Sequence, residues 1–262
     1  MKNKFYEFKN ETETSNDLYI YGAITSDKND DWLSSESDVD LNDFKETLNS
    51  MQNGATLNIY VNSPGGSVFA SSTMASMLQR AKETKNIKIN AYVDGLAASA
   101  ASFLIMVADE INMYSNSMLM IHKPMSIAWG NANDMQKEID TLNSIEENVM
   151  IPLYEKKAKC DRDTIKNLIE VESWLSAKEV DGLFNINLLG EAKEVNACID
   201  NNLFKCYKNV PDKFKEVNNN TDENLQEEVK EEPKQQEVVE EVQDIDYSYF
   251  ENKLNSAKGE GK

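Results

Sequence analysis

Twice between Thr56 and Val107 an alternating apolar run ends in a cluster of the smallest side chains, with a helical pattern behind it. TLNIYV (56–61) passes into NSPGGS and then into a helix whose apolar residues Val68, Phe69, Met74, Met77, Leu78 and Ala81 fall near one face. IKINAYV (87–93) alternates, with Ile87, Ile89, Ala91 and Val93 inward, and passes into GLAASAAS (95–102). Repeated strand-to-helix units leave few architectures open. They predict an α/β domain with largely parallel strands joined by right-handed crossovers. The flanking pattern agrees: DLYIYGAI (17–24) reads as a strand, DLNDFKETLNSMQ as a helix capped by Asp40, and INMY and SMLMI as two short strands. A long helix is expected from Asn133 to about Lys159, with Met135, Ile139, Leu142, Val149 and Leu153 on its seam and Pro152 bending or interrupting it. A short helix follows near Asp163 to Glu170, and SAKE (176–179) has the spacing of a capping box.

With 262 residues, 40% of them hydrophobic, the chain can bury one sizeable core. Its net charge of −19 excludes the cationic footprint from which nucleic-acid binders draw their affinity. Three cysteines without CxxC spacing and a single histidine predict neither a disulfide framework nor a zinc site, and no cofactor motif is present. The absence of a leader-like apolar run or a span of roughly 20 apolar residues predicts a soluble protein that stays inside the cell, in the cytosol, with no membrane partner. Composition shifts near Pro211: from there to Lys262 stand 15 acidic and 7 basic residues with little apolar surface to offset ordering entropy. The expected organisation is a segment 1–16, a main domain 17–207 and an acidic, disordered tail 208–262.

Both turns lie at the carboxyl ends of strands, where α/β folds hold ligands. In NSPGGS, Pro64 disfavours αR at Ser63, and Gly65–Gly66 permit positive φ, so the turn is either a tight connection or a set of backbone donors facing a substrate. In GLAASAAS, small residues around Ser99 let another backbone approach. Ser99 stands where a helix N-terminus favours a developing anion; Ser102, one turn on, is expected to bond back to a carbonyl. A serine hydroxyl needs a base, and the only imidazole is His122, closing the strand SMLMI just before Pro124. An acid to orient it is available among Asp161, Asp163, Glu170, Glu172, Glu179 and Asp181, and periodicity does not choose between them.

Taken together, NSPGG (62–66), GLAAS (95–99), MIHKP (120–124) and ESWLSA (172–177) resemble, in order and spacing, the Clp protease proteolytic subunit family of serine peptidases, especially its phage head-maturation (prohead) relatives. The resemblance covers roughly residues 17 to 190. It implies Ser99 as nucleophile, His122 as general base, Glu172 as the orienting acid with Glu170 in reserve, and an oxyanion hole from the amides of Gly66 and Ala100. Glutamate at 172 departs from the family's usual aspartate, and EVDGLFN shortens the run that follows SAKE. Also implied are a crotonase-like α/β fold and a long handle helix. Rings, heptameric by resemblance, would stack into a chamber, without cofactor or metal.

Substrates would be proteins or peptides, among them phage scaffold or capsid protein, and any ATP-driven unfoldase would be a separate chain, since no GxxxxGK[ST] loop is present. Two rivals make different demands. Serine–lysine relatives of the same fold type need a lysine aimed at Ser99, and Lys123 should point away from it. A scaffold that kept the fold needs no reactive serine.

Overall fold

The computed structural model describes residues 6–9, 14–25, 41–191, 204 and 206–211. The chain divides into two units, 1–220 and 221–262, the second outside the described residues, as is most of the expected acidic tail.

The expected α/β architecture is present. An eight-stranded sheet is built from β1 (Tyr6–Lys9), β2 (Ser15–Ile20), β3 (Thr56–Ser63), β4 (Lys88–Ala98), β5 (Glu110–Tyr114), β6 (Met118–Ile121), β7 (Ser173–Ser176) and β8 (Asn187–Leu189). Along its main path the order is β1-β2-β3-β4-β5-β8, parallel throughout except for the antiparallel edge strand β1. Crossovers run through α1 (Leu41–Ser50) between β2 and β3, and through α2 (Val68–Lys85) between β3 and β4. Ile89, Ala91 and Val93 are fully buried under this helical layer, on the face the alternation predicts. The intervening positions face the other side, where Tyr19, Tyr60 and Tyr92 stand in register and stack at 4.7 and 5.0 Å.

β4 forks the sheet. Its first half pairs with β5 and its second half, Leu96–Ala98, pairs with β6. Between Val61↔Val93 and Ser63↔Ala97 three residues of β4 oppose one of β3, and the Asn62 side chain accepts the Leu96 amide at 3.1 Å where the ladder is interrupted. The strand therefore runs on through GLAA, further than the IKINAYV alternation suggests. Helix follows only from Ala100, as α3 (Ala100–Leu104) with a 3₁₀ turn to Val107. Antiparallel to β6 lies β7, which continues into α7 (Ala177–Leu183) through the predicted Ser176/Glu179 capping box.

The long helix is unbroken but changes its winding. It runs as α4 (Ala132–Ile145), a π turn (Glu146–Met150) and α5 (Ile151–Glu155). Pro152 has no N–H to give the preceding turn, and the wider π turn absorbs the interruption. Of α4 only Ile145 is buried, while Ile139 is half exposed, so the seam is left largely uncovered within one chain. The short helix α6 (Arg162–Glu170) is capped by Asp161 and closes on β7.

Candidate active site

The PGG turn sits where three backbones meet. Ser63 donates to the Gly22 carbonyl at 2.6 Å and accepts the Gly65 amide at 3.1 Å. Ile24 donates to Gly65 O and Ser67 donates to Ile24 O, both at 2.7 Å. Gly66 has φ +139°, and a Cβ there would stand 2.2 Å from the Ile24 carbonyl oxygen. Gly65 has φ +98°, and a Cβ there would stand 2.7 Å from Cβ of Ser99. The two glycines thus do separate things: Gly66 seats the turn on Ile24, and Gly65 lets it press against Ser99.

Ser99 joins β4 to α3 with φ 51° and ψ −121°, a strained state for a residue with a side chain. Such a turn lifts the hydroxyl off the sheet end, in the manner of a nucleophile elbow without the GxSxG pattern. The Ser99 amide donates to Met120 O at 2.9 Å and ties this end of β4 to β6. The alanines are needed on both sides: Ala97, Ala98, Ala100 and Ala101 are all fully buried, with no room for longer side chains. Ala100 opens α3, so its amide lies outside the intrahelical ladder. Ser102 behaves as its position suggests, with Oγ donating back to Ser99 O at 2.6 Å and sharing a hydrogen bond with Tyr154 at 2.6 Å.

Strand register brings the histidine over. Ala98 pairs with Met120 in the parallel β4–β6 ladder, so the residues just past each strand end emerge side by side. His122 Nε2 lies 2.7 Å from Ser99 Oγ. Both residues are buried, at 5% and 8% exposure. Burial pushes the imidazole down to about 4, against the opposing field of Glu172, so His122 stays neutral at ordinary pH. In the antiparallel β6–β7 ladder Ile121 pairs with Ser173, and one step beyond that pair stand His122 and Glu172.

Glu172 has φ 53° and ends α6 in the left-handed turn that redirects the chain into β7. Its carboxylate makes no hydrogen bond to His122 among the described residues. It accepts instead from the Lys208 amide at 3.0 Å, the Asn209 amide at 2.6 Å and Trp174 Nε1 at 3.3 Å.

A buried serine and neutral imidazole in hydrogen-bond contact, beside a glycine turn and a carboxylate, is an arrangement suited to acyl transfer. The model of the Clp protease family matches residues 44–183, a span containing the serine, the imidazole, the glycine turn and the carboxylate, with Lys208 and Asn209 beyond it. The chain belongs to the Clp protease family. It is thereby a serine-type peptidase on an α/β fold. Among curated proteins it is similar to the ATP-dependent Clp protease proteolytic subunit 1 of Prochlorococcus marinus (strain MIT 9312), 31% identical over 139 residues covering 52% of this chain and 69% of that subunit. The corresponding subunit of Prochlorococcus marinus subsp. pastoris is 30% identical, over 52% of this chain and 68% of the relative. The proteolytic subunit of Pleurastrum terricola is 28% identical, over 52% and 67%.

In this Clp protease chain the reserve acid stands elsewhere. Glu170 is exposed and pairs with Lys123 at 2.5 Å, which also lies 4.0 Å from Glu146. Lys123 is thus drawn away from Ser99, and a serine–lysine arrangement does not form. No three His, Cys, Asp or Glu side chains come together as a metal site among the described residues, and no described helix is long and apolar enough to cross a membrane. Beside the PGG turn a groove of about 290 Å³ is lined by Thr25, Gly66, Phe69, Pro124, Met125 and Leu142, among others. Sequence reasoning missed Tyr207 altogether. Its ring meets the His122 imidazole edge to face at 5.0 Å, and its hydroxyl donates to Pro64 O at 2.5 Å. The only signal was the aromatic pair Phe204 and Tyr207 just before the composition shift.

Proposed function

We propose that this chain hydrolyses peptide bonds through Ser99, His122 and Glu172, with Gly66 and Ala100 as backbone donors to the oxyanion. The observation that carries this reading is the 2.7 Å contact between Ser99 Oγ and a neutral, buried His122 Nε2. Ser99 attacks the carbonyl carbon as its proton passes to Nε2. The tetrahedral oxyanion is held by the amides of Gly66 and Ala100. The imidazolium protonates the leaving amine, and water repeats the sequence on the acyl-enzyme. Each oxyanion donor contributes about 3 kcal/mol to lowering the barrier. Glu172, whose field favours the charged imidazole, stabilises the imidazolium as it forms. The groove beside Gly66 takes an extended stretch of substrate, with Phe69 and Met125 offering apolar contact.

The working form is a ring-shaped oligomer enclosing the sites, so that access decides what is cut. The half-exposed seam of α4 and the exposed Met125, Ile127 and Trp129 supply the apolar surface for contacts between copies. Heptameric rings in the cytosol are the expected form. Two uses fit this peptidase equally: cutting scaffold or capsid protein during phage head maturation, and degrading chains fed by a separate ATP-driven unfoldase. The acidic composition of 208–262 favours the first, and the names of the relatives favour the second.

Labelling the intact chain with a fluorophosphonate and locating the adduct by mass spectrometry tests the chemistry. A single adduct on Ser99, absent in His122→Ala, is expected. A Ser99 unlabelled in the folded chain and also in folded Tyr207→Ala would leave the scaffold reading in its place.

A further inference from the structure

Residues 206–211 lie outside the span matched by the family model, yet they cover the centre of the site. Tyr207 is buried at 7% exposure and Phe204 at 6%, both packed with Leu96, Ala98, Met118 and Met120 on the strands that carry Ser99 and His122. Trp174 closes the cluster, with ring centroids 6.1 Å from both Phe204 and Tyr207.

The hydroxyl of Tyr207 donates to Pro64 O, which fixes the ring beside the PGG turn and edge to face with the His122 imidazole at 5.0 Å. A large ring packed against the base, beside the 2.7 Å contact of His122 Nε2 with Ser99 Oγ, takes up space that a substrate carbonyl needs. Two residues further on, Lys208 and Asn209 direct their amides onto the Glu172 carboxylate, and the Asn209 side chain donates to Val171 O at 3.0 Å. Substrate is therefore met by an aromatic plug, and the acid is engaged by the same segment.

We propose that residues 206–211 form an autoinhibitory strap, in which Tyr207 blocks Ser99 and His122 while the amides of Lys208 and Asn209 hold Glu172. The proposal takes the peptidase reading above as its premise. The strap is built to open. Residues 206–211 belong to no strand or helix, Lys208 and Asn209 are exposed, and the hold on the Glu172 carboxylate is through two backbone amides, with the Asn209 side chain donating to the Val171 carbonyl. Lifting it exposes the serine, admits a peptide carbonyl and frees the carboxylate to turn toward the imidazole. It also rehydrates His122, which should then titrate nearer the ordinary histidine range.

The test compares fluorophosphonate labelling rates of full-length wild type, Tyr207→Ala and Asn209→Asp, with thermal melts to establish folding. Asn209→Asp touches only the surface: it removes the side-chain donor and sets a second carboxylate against Glu172. Both variants should label Ser99 at least tenfold faster than wild type, with the acid limb of the labelling profile moved to higher pH. Should Tyr207→Ala fail to fold, Asn209→Asp decides. Equal or slower labelling in folded Asn209→Asp, while wild type labels normally, overturns the strap alone. No labelling in any of the three overturns the peptidase reading with it.

Discussion

The turn at Ser99 and the segment at Tyr207 meet at the His122 imidazole and are built by opposite means. The turn works by subtraction: Gly65, Ala98, Ala100 and Ala101 remove side chains so that backbones touch, and the strained Ser99 is held by everything around it. The strap works by addition, with two large rings, a tryptophan partner and three donors laid over a surface already complete. A part made by subtraction has no second arrangement to adopt, because interiors packed this closely tolerate little movement. A part made by addition can leave without unmaking what lies beneath. On the proposed reading, rigidity sits with the reacting atoms and the capacity to open with the segment beside them.

Ways of breaking that contrast run from chemistry to stability. Ser99→Ala should lower peptide hydrolysis by about 10⁶-fold in kcat and leave the melting curve nearly unchanged, since alanine already fills the neighbouring positions. Glu172→Gln should cost about 10⁴-fold in kcat if the carboxylate supports the imidazolium once the strap is open. Glu170→Gln, a surface partner of Lys123, should leave kcat within twofold; a large loss there would transfer the orienting role. Gly66→Ala should destabilise by about 3 kcal/mol in denaturant titration, because the new methyl meets Ile24 O at 2.2 Å and the φ suits glycine.

Acid should act through the buried imidazole. Unfolded His122 takes up a proton near pH 6.5 and folded His122 only near 4, so between these values the unfolded state binds more protons and stability falls as pH falls. The loss should approach about 3 kcal/mol by pH 4, and His122→Gln should flatten that part of the curve. The smallest effect sharpens the turn: Ser99→Gly should be more stable than Ser99→Ala by about 1 kcal/mol, reporting the strain that the side chain imposes at φ 51°.

Legibility in the sequence followed the range of the forces involved. The turn motifs, the Ser176 cap and a local disturbance of the helix near Pro152, which the π turn before it takes up, were readable because each depends on residues within a few positions of one another. The continuation of β4 through GLAA was not, since alternation ends at Val93 and pairing with β6 decides the rest. The seam of α4 could be seen but not its exposure, which depends on what packs against it.

The order of elements, the two small-residue turns and the short set of residues fit for acyl transfer were determined by sequence, because local backbone preference and side-chain volume act along the chain. Which carboxylate stands one register step from His122, and that Tyr207 packs against His122, were decided only by tertiary structure. Those facts come from strand register and from rings buried across a separation of many residues, and nothing local specifies either.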